Sequence, residues 1–227
     1  MNRPPFSAAP RHLISLGTYL MIRLETDPET AHLAPTVASA IFDVKTNGEA
    51  VEAARVETMR RLARRDAYDS RADTLVASFG RQLLDHFGGD RSGAQYRRLL
   101  PDGVGGISKA PVSVEVGKLR DLSAAVAQAD LPEALKKLGA AMGEAAEALS
   151  TAMKEYEAAV REESLKKGDL MLARDRWHTT YVRTHGLLVG LFGSKARADG
   201  FFKSFHVSRA AADDGDAGDP ADEPVGQ

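Results

Sequence analysis

The chain has 227 residues, of which 43 % are hydrophobic and 27 % are charged, and its 30 basic residues are balanced by 32 acidic ones. It contains no cysteine, which excludes disulfides, thiolate metal sites and a cysteine nucleophile and is compatible with a reducing cytoplasm. With a formal charge of −2, the chain lacks the excess of positive charge that would indicate nucleic acid as a partner. The longest apolar stretch, 13–24, is shorter than the ~20 residues that a membrane span requires.

The N-terminal part of the chain combines proline signals with helical periodicity. Residues 1–10 are proline-rich and predicted to be extended, and the leucines of 13–24 recur at helical spacing, which predicts a helix that ends before Pro28. Pro35 fits the first turn of a second helix, and Asn47-Gly48 predicts a break or bend in the chain.

A long helix is predicted over 49–87, ending at Gly88-Gly89. Its second half carries a stripe of bulky apolar side chains at helical spacing: Ala72, Val76, Phe79, Leu83 and Phe87. A second stripe consists of small side chains: Ala63, Ala67, Ser70, Thr74 and Ala77. Because small side chains let a neighbouring helix approach closely, the sequence predicts that this helix has two packed faces.

Glycine and proline dominate residues 88–112, which predicts a crossover loop between helices, pinned to the bundle by its amphipathic segment 96–103. The valines at 112, 114 and 116 alternate as in a strand. A single short strand would have no partner, so they are interpreted as the start of a helix over 113–130.

The C-terminal half is predicted to form two more helices. Capping and proline signals at 130–133 predict the start of a helix over 131–165. The Lys-Lys-Gly-Asp run at 166–169 predicts a turn, and a last helix follows over 169–192 with Gly193 as its stop.

The helix over 131–165 carries the clearest periodicity in the sequence, a seam with alternating spacings of three and four residues. The seam consists of Leu135, Leu138, Met142, Ala145, Leu149, Ala152, Tyr156 and Ala159. This coiled-coil pattern predicts an interaction surface, with Leu135, Leu138, Met142, Leu149 and Tyr156 as its large side chains, and makes self-association through the seam an expectation.

These elements predict an all-α fold: an antiparallel four-helix bundle with an extra N-terminal helix, as a single domain over 1–209. Residues 210–227 are predicted to be a disordered acidic tail. Six of the 32 acids lie in 213–227, which has no Lys or Arg, and this leaves 26 acids against 30 bases in the rest of the chain.

Between the last helix and the tail lies a small aromatic cluster, Phe201, Phe202 and Phe205. Aromatic side chains in this position either dock on a partner or fold back to cap the end of a bundle. The pattern does not separate these two interpretations, so the three residues are candidate interaction residues.

Two histidine patterns suggest a metal, and neither is specific. A carboxylate three residues before a histidine, the ligand pair of di-iron helical bundles, occurs twice, at 29–32 and 175–178, which is about what chance produces. The helix predicted over 131–165, which would be the partner helix in such a site, has no glutamate on its inward face. His178 and His185 share a helix face, but Arg174 and Arg183 are nearby cations that disfavour a metal. We therefore expect no metal or other cofactor, and two histidines with ordinary hydrogen bonds.

An arginine-rich stretch, 55–71, raises the possibility of nucleic-acid binding. The surrounding helix, 49–75, contains six arginines and six acids, which is the charge pattern of a solvated, ion-paired helix face. Nucleic-acid binding requires an excess of positive charge, so a nucleic-acid partner is not expected.

No residue pattern indicates catalysis, since no nucleophile elbow and no phosphate-binding glycine loop is present in the sequence. The function that the sequence favours is that of a non-enzymatic interaction or scaffold protein, acting as a homo-oligomer or on a protein partner. The alternatives are a nucleic-acid-associated protein that uses 55–71 and, less favoured, a metal-dependent bundle enzyme around His178 and His185.

Overall fold

A computed structural model describes residues 3–204, and this part of the chain is all helical, without a strand. The all-α prediction is therefore confirmed. Seven α-helices follow one another as α1 Pro10–Thr26, α2 Ala34–His86, α3 Ala94–Leu99, α4 Gly105–Ser108, α5 Val112–Gln128, α6 Glu133–Phe192 and α7 Lys195–Asp199, with a short 3-10 helix, Ala31–Leu33, before α2. None of the described helices combines the length and the apolar character that crossing a bilayer requires.

Two predicted interruptions are wrong. Helix α2 continues through Asn47-Gly48, and helix α6 continues through the turn predicted at 166–169. An isolated glycine inside a helix costs only about 1 kcal/mol relative to alanine. A buried apolar side chain lies close to each site, Val44 four residues before Gly48 and Leu170 two residues after Gly168, and this burial outweighs that cost.

The predicted stop of α2 at Gly88-Gly89 is confirmed. Both glycines have positive φ angles, 63° and 87°, a backbone conformation that side chains with a Cβ rarely adopt. The Gly89 N–H donates to the carbonyl of Leu84 at 2.9 Å, which satisfies one of the open carbonyl groups at the helix end.

The glycine-rich segment after α2 is irregular, as predicted, and contains the two short helices α3 and α4. Tyr96, Leu99 and Ile107 are buried and hold the segment against its surroundings. The valines that alternate from Val112 belong to α5, which confirms their interpretation as the start of a helix.

The contacts of the chain form two compact units. Unit 1 comprises Met1–Val44 and Arg174–Gln227, and unit 2 comprises Lys45–Ala173. The single domain predicted over 1–209 stays a prediction.

The core of unit 2 is built on the bulky stripe of α2. Ala72, Val76, Phe79 and Leu83 are fully buried. They belong to one cluster with apolar residues of α5 and α6, among them Leu119, Leu122, Val126, Leu135 and Met142. In contrast, the small stripe from Ala63 to Ala77 is exposed, so residues 3–204 do not supply the second packed face that the sequence predicts for α2.

The core of unit 1 is built on the leucines of α1. Leu13, Leu16, Leu20 and Leu24 are at most 2 % exposed, in the same unit as the buried side chains Trp177, Tyr181 and Leu188 of α6. A Cβ at Gly17 would lie 2.7 Å from Ile41 Cγ1 and 2.9 Å from Trp177 Nε1. Gly17 therefore permits a close approach of neighbouring side chains to α1.

Gly17→Ala is expected to destabilise the protein by about 1–2 kcal/mol. Overpacking a core costs about 1–3 kcal/mol, and the better helix propensity of alanine returns up to ~1 kcal/mol of that. Urea denaturation followed by far-UV circular dichroism measures the change. Gly186→Ala is the matched control, because a Cβ there meets nothing within 4 Å and the substitution is expected to be neutral or stabilising. Equal effects of the two substitutions would contradict the close approach at Gly17.

Candidate functional site

The two histidines that share a helix face, His178 and His185, lie in unit 1 but have different surroundings. His178 is 7 % exposed, its ring centroid lies 4.4 Å from that of Phe6 and 5.3 Å from that of Trp177, and burial lowers its pKa. His185 Nε2 lies 2.7 Å from Asp199 Oδ1. Within residues 3–204 no group of three or more His, Asp or Glu side chains is arranged to hold a metal ion.

The described members of the aromatic cluster pack on their own chain. Phe201 and Phe202 are 5 % and 6 % exposed. The Phe202 ring lies edge-on to Tyr181, with centroids 4.8 Å apart, and Phe201 stacks on Phe192 at 5.5 Å. Phe205 and the predicted acidic tail lie outside the described residues.

The predicted interaction seam is largely occupied inside unit 2. Leu135, Met142 and Leu149 are 3 %, 0 % and 0 % exposed, and Leu138 and Tyr156 are half-buried. Side chains covered by their own chain cannot also cover a second copy, so self-association, which stays a prediction, requires another surface.

Four arginines of the arginine-rich stretch, 55–71, are paired with acids. Arg61 donates from Nε to Glu57 and from Nη1 to Glu155, both at 2.7 Å, and the latter bond joins α2 to α6. Arg64 lies 3.5 Å from Glu155, and Arg65 Nη2 lies 2.6 Å from Asp66 Oδ1. This pairing is the arrangement expected of a solvated, ion-paired face.

A carboxyl cluster in unit 2 escaped the sequence reasoning. Glu115, in the first turn of α5, is 2 % exposed, and burial together with Asp69 and Asp73 of α2 raises its pKa to about 8. One oxygen of each of the three side chains is buried without a hydrogen-bond partner. The spacing of Glu115, Leu119 and Leu122 was the available signal, since it places the acid on the apolar face of α5.

A groove of unit 2 lies between the second half of α2 and the segment 91–105. It encloses about 730 Å³, within the usual range of small-molecule sites. Its lining combines apolar side chains with three arginines: Thr74, Ala77, Gly80, Arg81, Leu84, Arg91, Tyr96, Arg97, Leu100, Pro101, Gly103, Val104 and Gly105. We call this the arginine groove. The sequence reasoning missed it because its arginines are separated along the chain and meet only in the folded unit.

Comparison of the chain with family models, with curated proteins and with solved structures finds no match.

Proposed function

We propose that this protein is a non-enzymatic helical interaction protein that self-associates through one exposed face of α2. This face, the α2 stripe, consists of Val56, Met59, Ala63, Ala67 and Ser70. We also propose that the helices form an antiparallel four-helix bundle, that the protein is located in the cytoplasm, and that two copies contact each other by coiled-coil packing. The observation that carries it is the exposure of a periodic, mostly apolar face that the described part of the chain leaves uncovered.

The periodicity of the α2 stripe is that of a helix–helix contact. Its members are spaced by three, four, four and three residues, the spacing at which side chains line one face of a helix. Val56 and Met59 are 50 % and 55 % exposed, and the three smaller members are also exposed. The small residues would let a second helix approach closely, and Val56 and Met59 would supply apolar area.

The charges of α2 favour a second copy in antiparallel orientation. Residues 55–65 contain five arginines and one glutamate, whereas 66–73 contain three aspartates and one arginine. An antiparallel pair places the basic segment of each copy opposite the acidic segment of the other, and a parallel pair places like charges together. Arg61, Arg64 and Arg65 are already paired within the chain, and Asp69 and Asp73 lie against Glu115. The complementarity between copies is therefore one of net charge between the two segments and not of individual ion pairs.

An antiparallel arrangement already occurs inside unit 2, which supports the bundle topology. Thr58 Oγ1 of α2 donates to the carbonyl of Ala159 of α6 at 3.3 Å, and Arg61 of α2 donates to Glu155 of α6. From the first contact to the second, the residue number rises by three along α2 and falls by four along α6. The two helices thus run in opposite directions along this stretch.

Light scattering coupled to size-exclusion chromatography tests the proposal. We expect the full chain to be a dimer or a higher oligomer, and Ala63→Lys with Ala67→Lys to dissociate it, because facing copies would then bury unpaired charges. The double variant Ala140→Lys with Ala158→Lys is the matched control, since it changes two exposed alanines of α6, and it should leave the mass unchanged.

A strictly monomeric wild-type chain would contradict the proposal, as would equal dissociation of both double variants. The same chromatographic peak tests the two alternative functions. Stoichiometric metal would favour a metal-dependent protein around His178 and His185, and co-eluting nucleic acid would favour the arginines of 55–71.

A further inference from the structure

The arginine groove in unit 2 has the composition of an anion site. No carboxylate is among its lining residues, which include Arg81 of α2 and Arg91 and Arg97 of the following segment. The rest of the lining is mainly apolar, with Leu84, Leu100 and others. Three positive charges therefore share one concave, largely apolar surface without a negative charge inside it.

Arg81, Arg91 and Arg97 also lack ion pairs of the kind that four other arginines of α2 make. Arg60, Arg61, Arg64 and Arg65 each lie at ion-pair distance from an acid. Over residues 3–204 no acid lies at that distance from Arg81, Arg91 or Arg97. Because guanidinium groups bind carboxylates and phosphates strongly, three unpaired ones around one groove indicate an anionic ligand.

The acid nearest to them in sequence is engaged elsewhere. Asp90 Oδ1 accepts hydrogen bonds from the Ser92 N–H at 2.8 Å and from Ser92 Oγ at 2.6 Å. These two bonds are the main reason why the pKa of Asp90 is lowered, and the charge of Arg97 adds the smallest part. The carboxylate thus holds the turn before α3 and leaves the guanidinium groups open.

The groove is held in place by its backbone. A Cβ at Gly80 would overlap with Val104 Cγ2, so only glycine allows the 100–105 segment to lie this close to α2. Gly103 has a φ of 67°, which favours glycine in the turn that carries Val104. Tyr96 and Leu100 are 6 % and 1 % exposed and anchor the same segment. A groove fixed in this way presents its arginines in a defined arrangement.

We propose that the arginine groove binds a small organic phosphate. Arg81, Arg91 and Arg97 would hold the phosphate, and the organic part would contact the apolar lining residues, among them Leu84 and Leu100. A phosphate monoester carries up to two negative charges and several acceptor oxygens, which suits three guanidinium groups better than a single carboxylate does. The groove is large enough for a mononucleotide-sized molecule. This inference is independent of self-association through the α2 stripe.

Isothermal titration calorimetry on the full chain at low salt tests the proposal, with pyrophosphate, inorganic phosphate, adenosine 5′-monophosphate and adenosine as probes. We expect saturable binding of at least one phosphate-bearing probe and none of adenosine. Arg81→Ala and Arg97→Ala should each weaken that binding about tenfold or more, because each removes a charge-assisted hydrogen bond. Arg71→Ala is the matched control: it removes an exposed arginine of α2 outside the groove and should leave binding unchanged.

The acidic residues of 213–223 could compete for the arginines. All titrations are therefore repeated on a full-length variant in which these six acids are replaced by their amides. Absence of binding by every phosphate probe in both proteins would overturn the proposal, as would equal weakening by Arg71→Ala. Tighter binding of a single-stranded oligonucleotide than of every small probe would also overturn it, in favour of a nucleic-acid surface. Ala63→Lys with Ala67→Lys should retain phosphate binding, so failure of self-association and failure of the phosphate site can be told apart.

Discussion

Trp177→Ala is expected to lower the free energy of unfolding by about 3–5 kcal/mol, the usual cost of removing a large aromatic side chain from a core. Trp177 is the only tryptophan of the chain and is 1 % exposed. Its ring stacks on Tyr181 with centroids 4.6 Å apart and meets His178 edge-on at 5.3 Å. Truncation to alanine would remove the centre of this aromatic group and leave a cavity in unit 1.

Urea denaturation followed by far-UV circular dichroism measures the loss for Trp177→Ala. Trp177→Phe is the matched control, because it keeps an aromatic ring in the same place, and we expect it to recover most of the stability. Hydrogen exchange adds a local measurement: amides of 10–44 and 174–199 should exchange faster in Trp177→Ala, and amides of 72–83 should change least. Equal stability of the alanine and phenylalanine variants would show that the ring contacts do not stabilise unit 1.

The sequence was sufficient for the elements with strong periodicity. The leucines of α1 and the bulky stripe from Ala72 to Leu83 are buried, as helical spacing predicts. The stop at Gly88-Gly89 was also predictable from the sequence, because a pair of adjacent glycines is a local helix-stop signal. Both glycines adopt the positive φ angles that are common at helix ends. These features depend on residues that are close together in the sequence.

Interruptions and interfaces were less predictable, because they depend on what the rest of the chain buries. Gly168 resembles a turn signal, but it lies inside α6, where the burial of Leu170 and Ala173 maintains the helix. Helical spacing marked both the 135–159 seam and the small stripe of α2. Only the structure shows that the core of unit 2 takes up most of the first and leaves the second exposed.

The candidate sites were the least predictable part. Arg81, Arg91 and Arg97 lie on α2 and in two parts of the irregular segment, and no local spacing brings them together. Glu115 differs, because its position in line with Leu119 and Leu122 gave a local signal. That signal shows an acid on an apolar face but not the two aspartates of α2 that surround it.

The second large expected effect concerns Glu115. We expect its carboxyl to make the free energy of unfolding fall as the pH rises. Burial, Asp69 and Asp73 raise the pKa of its carboxyl from 4.5 to about 8 in the folded protein. Below about pH 4.5 the carboxyl is protonated in the folded and unfolded states, so it contributes no difference. Between about pH 4.5 and 8 the unfolded chain ionises while the folded protein retains the proton. Stability is therefore lost across this window and levels off above it.

The size of this loss follows from the shift in pKa. At about 1.4 kcal/mol for each pKa unit, the shift from 4.5 to about 8 corresponds to a loss on the order of 5 kcal/mol between the two ends of the window. Burial also raises the pKa of Asp73, with Asp69 adding to the shift, and this acts in the same direction. The carboxyl cluster thus makes unit 2 less stable near neutral pH than in mild acid.

Glu115→Gln is expected to remove most of this pH dependence. The amide has nearly the same shape, cannot ionise, and can donate to the oxygens of Asp69 or Asp73. The variant should therefore be more stable than the wild type at pH 8, should differ least from it near pH 4.5, and should show a flatter slope between. Urea denaturation at a series of pH values measures both curves, with the exposed Glu144→Gln as the matched control. Parallel curves for Glu115→Gln and the wild type would mean that Glu115 ionises normally in the folded protein, and the buried carboxyl cluster would then not be the source of any pH sensitivity.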